Sequence, residues 1–248
     1  MELYNTIIRG VEGLAGSSAP RVYPYDPADA WEDTGAFELV MLRDAAYELG
    51  GSGKDAVNFT CVTTSPELVP RDEILVFGSE LNELNELNGD SSYARIALLR
   101  VGDIESDDED DTEQAFRAIQ DMDFVKYRVF PKGYMMRTSS ESSREQVRIS
   151  RDAVRRGMNF RRVGADFIRH YRRNPHILAV KLLFITAPDA DYDALSRNAR
   201  TVRDITLSLT KILEGMPTDC GSCNLKAICD EVEGMRELHF GKEHHTTE

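Results

Sequence analysis

The alternation of hydrophobic and polar residues indicates short strands mixed with longer helices. Short runs rich in Val, Ile, Phe and Leu predict strands at 37–42, 56–62, 74–77, 93–101, 124–130, 146–150 and 177–186. Apolar residues at helical spacing predict helices at 2–15, 114–121, 163–171 and 191–214. The polar segment 133–143 is predicted to be a loop.

The order of these elements predicts an α+β fold in three parts. Residues 1–122 form a strand-rich subdomain with a mixed sheet region and an acidic loop at 103–113, where like charges repel one another and favour solvent. Residues 123–214 form a smaller, basic α/β subdomain that ends in a long amphipathic helix. Residues 215–248 form a tail that contains a cysteine motif.

Charge is distributed unevenly along the chain. The formal net charge is −13, yet residues 126–173 contain 14 Lys and Arg against four acidic residues. The acidic chain as a whole argues against a nucleic-acid partner. No apolar run approaches the ~20 residues that span a bilayer, so no membrane partner is expected. The N-terminal residues lack the pattern of a secretory signal, which predicts a cytoplasmic location.

Three cysteines follow the spacing C-x2-C-x5-C, namely Cys220, Cys223 and Cys229. In the reducing cytosol, clustered cysteines bind metal or carry out redox chemistry more often than they form disulfides. The spacing predicts one shared zinc ion or one iron–sulfur cluster, of the 4Fe–4S type in the second case. Both take four ligands, and the candidates for the fourth are Cys61 and His239. Unliganded thiols, or a disulfide formed in air, are the alternative.

Arginines are concentrated in the basic stretch, and guanidinium groups bind phosphate through paired hydrogen bonds. The candidate ligands for a phosphate-bearing molecule, such as a nucleotide cofactor, are Arg137, Arg148, Arg151, Arg155 and Arg156. The alternative is a basic face that contacts acidic loops of the same chain or of a partner. RNA is a third option, which the acidic net charge weakens.

His170 and His176 lie close together in the sequence, on either side of Pro175. A catalytic role would need a nucleophile or a carboxylate near them in space, and spacing along the chain does not show one. The two histidines are therefore interpreted as a cation at a helix C-terminus and a loop residue.

The order of several segments resembles the middle domain of acetyl-CoA synthase, the beta subunit of the carbon monoxide dehydrogenase/acetyl-CoA synthase complex of anaerobic archaea and bacteria. The similar segments lie between residues 30 and 210. The closest one is Arg148-Ile149-Ser150-Arg151-Asp152-Ala153-Val154, continuing as Arg156-Gly157-Met158-Asn159-Phe160. The others are 36–40, 74–78, 94–101 and 180–186.

The resemblance implies an α+β fold with an arginine-rich surface that binds coenzyme A. By position, this role falls on Arg137, Arg148, Arg151 and Arg155 or Arg156. The next domain of the family begins with a C-x2-C pair and a third cysteine, and Cys220, Cys223 and Cys229 occupy a comparable place with a shorter last spacing.

The chain also departs from the family pattern. The family has a tryptophan in the arginine-rich stretch, whereas the single tryptophan here is Trp31. The Cys-x-Cys pair that binds nickel has no counterpart in this chain, and neither does the domain that docks on carbon monoxide dehydrogenase. Carbon–carbon bond formation on nickel is therefore not expected of this chain alone.

The resemblance then implies a binding module without the nickel-site domain, acting in anaerobic one-carbon metabolism of CO, acetyl-CoA or corrinoids. It implies a protein partner in a carbon monoxide dehydrogenase/acetyl-CoA synthase or corrinoid system. Any turnover would be that of a CO-methylating acetyl-CoA synthase assembled from several chains. The expected cofactors are coenzyme A and either an iron–sulfur cluster or zinc. The alternative is a non-catalytic accessory protein that senses redox state or metal.

Overall fold

The computed structural model of the chain describes residues 2–51, 53–84, 91–102, 109–213, 223 and 225–231. The helices there are α1 (Glu2–Leu14), α2 (Glu109–Phe124), α3 (Arg151–Arg155), α4 (Phe160–Tyr171), α5 (Tyr192–Leu213) and α6 (Lys226–Glu231). The strands are β1 (Arg21–Pro24), β2 (Ala45–Leu49), β3 (Ala56–Thr63), β4 (Glu73–Phe77), β5 (Tyr93–Val101), β6 (Tyr134–Ser139), β7 (Arg144–Ser150) and β8 (Ile177–Ile185). Among the described helices, none is both long and apolar enough to cross a bilayer.

A mixed five-stranded sheet forms the centre of the fold, with the strand order β1-β4-β8-β5-β3. Strand β8 lies in the middle, parallel to β4 and antiparallel to β5. Its sequence is apolar almost throughout because protein covers both of its faces. The combination of helices with this sheet and a second, small sheet confirms the predicted α+β class.

The small sheet is antiparallel and has the order β2-β7-β6. Its inner face packs toward the large sheet, and Tyr134, Val147 and Ile149 join the main hydrophobic core there. Its outer face points away from that core. Both sheets combine strands from either side of the predicted boundary between residues 122 and 123, since β8 lies beside β4 and β5 while β7 pairs with β2. The two sequence subdomains therefore share one core.

Helices cover both faces of the large sheet. Lys181 of β8 points to the α1 side, where its Nζ lies 2.9 Å from the Glu12 carboxylate of α1. Helix α5 packs beside α1, and α4 packs on the opposite face against β4 and β8. The close approach of α4 requires Gly164, since a Cβ atom there would lie 2.8 Å from Ile74 Cγ1. Helix α4 is thus held tightly against the sheet.

The predicted strand at 37–42 is wrong. The segment crosses the outer face of the small sheet as irregular chain, and most of its apolar side chains are exposed. Only Val40 is buried, in a small cluster with Ala45 and Met135. The alternation of apolar residues is typical of a strand, but no strand in the described part of the chain supplies the ladder of hydrogen bonds that a strand needs.

The predicted strand at 124–130 is also wrong. Residues Val125–Tyr127 form a 3₁₀ turn, and Lys126 Nζ lies 2.8 Å from the Asp123 carboxylate. An ion pair between residues three apart forms on a helical turn and not on an extended chain, where they would point to opposite faces. The local ion pair therefore favours a helical turn here, although the alternating sequence pattern is typical of a strand.

The two predicted loops are partly regular structure. Within 133–143, residues Tyr134–Ser139 form β6, which pairs with β7 from Tyr134↔Ile149 to Ser139↔Arg144. Within 103–113, residues 109–113 begin α2. Residues 103–108 lie outside the described residues.

Candidate functional site

The outer face of the small sheet carries two of the candidate arginines. Side chains alternate along a strand, so Met135 and Arg137 of β6 share this face with Gln146 and Arg148 of β7. In the register, Met135 is opposite Arg148 and Arg137 is opposite Gln146. The pairing of β6 with β7 therefore fixes both arginines on one surface.

A groove with a volume of about 360 Å³ lies between this face and segment 37–42. The side chains that define this arginine groove are Phe37, Leu39, Met135, Arg137, Gln146 and Arg148. Phe37 is 56% exposed and Leu39 is 62% exposed, so apolar surface is open to solvent beside the guanidinium groups. The arginine groove can offer both positive charge and apolar contact to one ligand.

The two arginines of the groove differ in their partners. Arg148 Nε donates to Glu48 Oε1 at 2.5 Å, so its charge is largely balanced. Arg137 is exposed and, among the residues that the structure describes, forms no hydrogen bond or ion pair. Phe37 and Arg137 also line a neighbouring cavity of about 340 Å³, where burial raises the pKa of Tyr127 to about 12. Arg137 is therefore the cation best placed to meet an anion.

The other three candidate arginines lie outside the groove, Arg151 and Arg155 on α3 and Arg156 directly after it. Arg156 Nε lies 3.0 Å from the Asp152 carboxylate and Arg155 is exposed. Arg151 Nε is buried and has no hydrogen-bond partner in the described part of the chain. The structure also brings Trp31 to this region, with the Arg156 guanidinium 5.7 Å from its ring centre. A tryptophan distant in sequence thus contacts the arginine-rich stretch, which spacing alone could not reveal.

Two of the three motif cysteines fall within the described residues. Cys223 and Cys229 are both half-buried, and Cys229 belongs to α6. Leu225, between them, is buried and α6 packs against α5, so the segment is anchored to the body of the protein. Cys220 and the proposed ligand His239 lie outside the described residues.

Cys61 occupies a different environment. It lies in β3 with 0% of its surface exposed, and burial raises the pKa of its thiol far above the ordinary value. Metal binding requires the thiolate form. This environment favours His239 over Cys61 as the fourth ligand of the cysteine motif.

The structure shows a cluster that the sequence did not predict. His170 is buried, with its ring between Asp33 and Asp166, and burial lowers its pKa. His170 does lie in the last turn of α4, as predicted, but its burial disfavours the predicted cation, whereas His176 does lie in a loop. The spacing of Asp166 and His170, four residues apart on one helix, is the only local signal of this cluster, because Asp33 comes from a distant loop.

A scan of protein-family models finds no match to the chain, and no curated protein matches its sequence. The resemblance to the acetyl-CoA synthase middle domain therefore stays a prediction.

Proposed function

We propose that the protein binds a phosphate-bearing ligand of the coenzyme A type in the arginine groove. The observation that carries the proposal is the position of Arg137, which has no partner among the described residues, beside the open apolar side chains of Phe37 and Leu39. Coenzyme A combines phosphates with an aromatic base and a long arm in which methylene and methyl groups alternate with amides. Its phosphates would meet Arg137, and its base or arm would pack on Phe37, Leu39 and Met135.

The size of the groove supports this ligand class. Its volume of about 360 Å³ falls at the lower end of ordinary small-molecule sites, and the adjoining cavity adds room on the other side of Arg137. The Arg148–Glu48 pair lies in the groove wall and reduces its net charge. The phosphates are therefore expected on the Arg137 side of the groove.

The role that fits these features is that of a binding module and not of an enzyme acting alone. Within the described lining of the groove, Glu48 is the one carboxylate, and its engagement by Arg148 leaves it poorly placed to act as a base. The resemblance to the acetyl-CoA synthase middle domain adds a setting in anaerobic one-carbon metabolism, beside a protein partner.

Calorimetric titration at low salt tests the proposal with coenzyme A, ADP and pantetheine as probes. Coenzyme A is expected to bind more tightly than ADP, and pantetheine more weakly than both. Arg137→Glu should weaken coenzyme A binding by roughly 10- to 100-fold, because a charge-assisted hydrogen bond is lost and the new carboxylate repels the phosphates. Phe37→Ser should weaken coenzyme A binding by a smaller factor.

Two variants act as controls. Arg200→Glu makes the same change of charge at an exposed position of α5 that does not line the groove. It should leave the affinity for coenzyme A nearly unchanged. Arg155→Glu tests the α3 surface, and a loss as large as that of Arg137→Glu would move the site there. Absence of binding by the unmodified protein would leave the basic face as a contact surface for a partner.

The cysteine motif supports a second proposed role, a bound zinc ion or iron–sulfur cluster. Cys223 and Cys229 lie half-exposed on a segment that Leu225 anchors, so both thiols are accessible to a metal. The cluster or zinc would hold the C-terminal segment, or would report redox state or metal supply in the accessory-protein alternative. Anaerobic purification with iron, zinc and sulfide analysis tests this role. Cys229→Ser should lower the metal content, whereas Cys61→Ala should not.

A further inference from the structure

We infer that Asp33, Asp166 and His170 form a binding site for one divalent transition-metal cation. These residues form the Asp–His cluster, in which each side chain offers one ligand atom and the three atoms lie within 4.8 Å of one another. Carboxylate oxygen and imidazole nitrogen are ligands that Zn²⁺ and Mn²⁺ accept. The cluster shares no residue with the arginine groove or the cysteine motif.

The contacts of His170 carry the inference. Its Nδ1 lies 2.9 Å from the backbone oxygen of Asp166, and its Nε2 lies 3.1 Å from Asp33 Oδ2. Both oxygens are hydrogen-bond acceptors, and a neutral imidazole has only one N–H to donate. One of the two contacts therefore needs an additional proton or a cation. A cation between Nε2 and Asp33 Oδ2 would satisfy the second contact without a second ring proton.

The arrangement of His170 is the one that metal-binding histidines commonly show. When Nδ1–H donates to the Asp166 backbone oxygen, Nε2 keeps its lone pair and points toward Asp33. A backbone carbonyl in this position fixes the tautomer and orients the ring for the metal. Two ligand atoms on one tetrahedral zinc lie about 3.4 Å apart, given bonds of about 2.0–2.2 Å, so the pair of His170 Nε2 and Asp33 Oδ2 at 3.1 Å needs only a small shift to admit the ion. The Asp166 carboxylate, whose ligand atom lies within 4.8 Å of the other two, would have to turn toward the ion.

Asp166 supplies the second, independent observation. Its side chain is fully buried, and Oδ1 is bound by Arg169. Its other oxygen, Oδ2, is buried and has no hydrogen-bond partner in the described part of the chain. Leaving a buried carboxylate oxygen unpaired is costly, and a metal would satisfy it.

The scaffold holds the three side chains in place without a metal. Asp166 and His170 project from the same face of α4, the helix that lies tightly against the large sheet. Asp33 is fixed by two backbone groups, since Gly35 N donates to its Oδ1 at 2.5 Å and Phe130 N donates to its Oδ2 at 3.2 Å. The site is therefore preorganised, which lowers the cost of binding an ion.

A path for the ion exists on the His170 side. His170 lines a cavity of about 650 Å³ together with Arg128, Arg173 and His176. Arg169 is only partly exposed and binds Asp166 Oδ1, which balances part of the charge of that carboxylate. Arg128 and Arg173 oppose a cation by charge, but both are exposed, and water and salt screen them. They would also attract a small anion or carboxylate to the open side of the metal.

The test uses the full-length chain with Cys220→Ser, Cys223→Ser and Cys229→Ser, so that the motif thiolates do not compete for metal. After chelator treatment, Mn²⁺ is titrated and followed by electron paramagnetic resonance, and Zn²⁺ by calorimetry. One ion per chain is expected, and thermal unfolding should shift upward with added metal. Asp33→Asn and His170→Gln should each weaken binding by about tenfold or more. The matched control His176→Gln lines the same cavity and should bind like the parent.

Nitrogen NMR of the His170 ring gives a readout that folding alone does not move. On addition of Zn²⁺, the Nε2 resonance should shift while the Nδ1–H is retained. Three results would overturn the inference: no saturable binding of Mn²⁺ or Zn²⁺ by the parent, unchanged affinity in a folded Asp33→Asn variant, or a His170 ring that stays doubly protonated in the presence of Zn²⁺. None of these results bears on coenzyme A binding in the arginine groove.

Discussion

Arg95 of β5 and Glu145 of β7 form a bidentate ion pair that is buried between the two sheets. Arg95 Nε donates to Oε1 at 2.8 Å and its NH2 group donates to Oε2 at 2.6 Å, with 1% and 0% of the two side chains exposed. Asn58 and Thr138 also donate to the carboxylate, and the Phe167 ring lies 4.1 Å from the guanidinium. The pair therefore joins the sheet that carries the arginine groove to the centre of the fold.

Breaking this pair from one side should be severely destabilising. Arg95→Met would leave the Glu145 carboxylate buried without its cation, at a cost of about 3–5 kcal/mol in the free energy of unfolding. Urea denaturation measures the cost as a lower midpoint. Replacing both partners, as Arg95→Met with Glu145→Leu, removes the unpaired charge and should restore at least half of the lost stability. A double variant as unstable as the single one would contradict this account.

Two glycine-to-alanine substitutions in helices should have opposite effects. Gly164→Ala in α4 should lower the free energy of unfolding by about 1–3 kcal/mol, because the new methyl group would meet Ile74 across a packed interface. Gly13→Ala in α1 should raise it by about 0.5–1 kcal/mol, because no atom lies within 4 Å of the new Cβ and alanine favours the helix. Thermal unfolding of both variants checks the pair. If both substitutions changed the free energy of unfolding in the same direction, α4 would not pack on the sheet as closely as described.

The environment of Cys61 predicts an unreactive thiol. Because burial raises its pKa, the thiol should remain protonated at pH 8 in the folded protein and react slowly with a disulfide reagent. The measurement uses a chain with Cys220→Ser, Cys223→Ser and Cys229→Ser, so that Cys61 is the single thiol. Its slow reaction with the reagent should become fast when the protein is unfolded. A companion chain that keeps only Cys223 should react at least about 100-fold faster, since that thiol is half-exposed. Comparable rates would place Cys61 near the surface.

The irregular course of segment 37–42 predicts unequal tolerance to polar substitution. Phe37→Ser should change the free energy of unfolding by less than about 0.5 kcal/mol, since most of the ring is in solvent. Val40→Ser should lower it by about 1–3 kcal/mol, since Val40 is buried against Ala45 and Met135. Chemical denaturation of the two variants distinguishes this arrangement from a regular strand, in which Phe37 would be packed.

The elements that the sequence predicted well are those buried by long apolar runs. Strands β5 and β8 were recognised because both are central, and central strands need apolar residues on both faces. The start of α5 agrees with the predicted helix at 191–214, and Asp191 caps it, since its Oδ1 accepts from Ala194 N at 2.9 Å. The edge strand β1 was missed, since it is short and carries no comparable run, whereas the edge strand β3 was predicted because it is apolar and buried along its length.

The candidate site was predictable only where its residues are neighbours on one hairpin. Arg137 and Arg148 stand out as part of a local density of arginine, and β6–β7 pairing brings them together. The apolar wall of the groove comes from Phe37, whose position depends on the folding of distant segments. The same holds for Asp33, which reaches His170 only through the packing of its loop on α4. Contacts of this kind leave no periodic signal in a single sequence.

The central place of β8 in the large sheet bears on how the chain folds during synthesis. Strands β4 and β5 leave the ribosome before β8 does. Neither can form its hydrogen bonds to β8, which lies between them in the sheet, until β8 has been synthesised. In that interval each has an unpaired apolar edge, open to association with other nascent chains. Translation that stalls before residue 177 would therefore yield a fragment that is prone to aggregate. In the cell, chaperones that bind the exposed edges of β4 and β5 would protect the nascent chain until β8 is made.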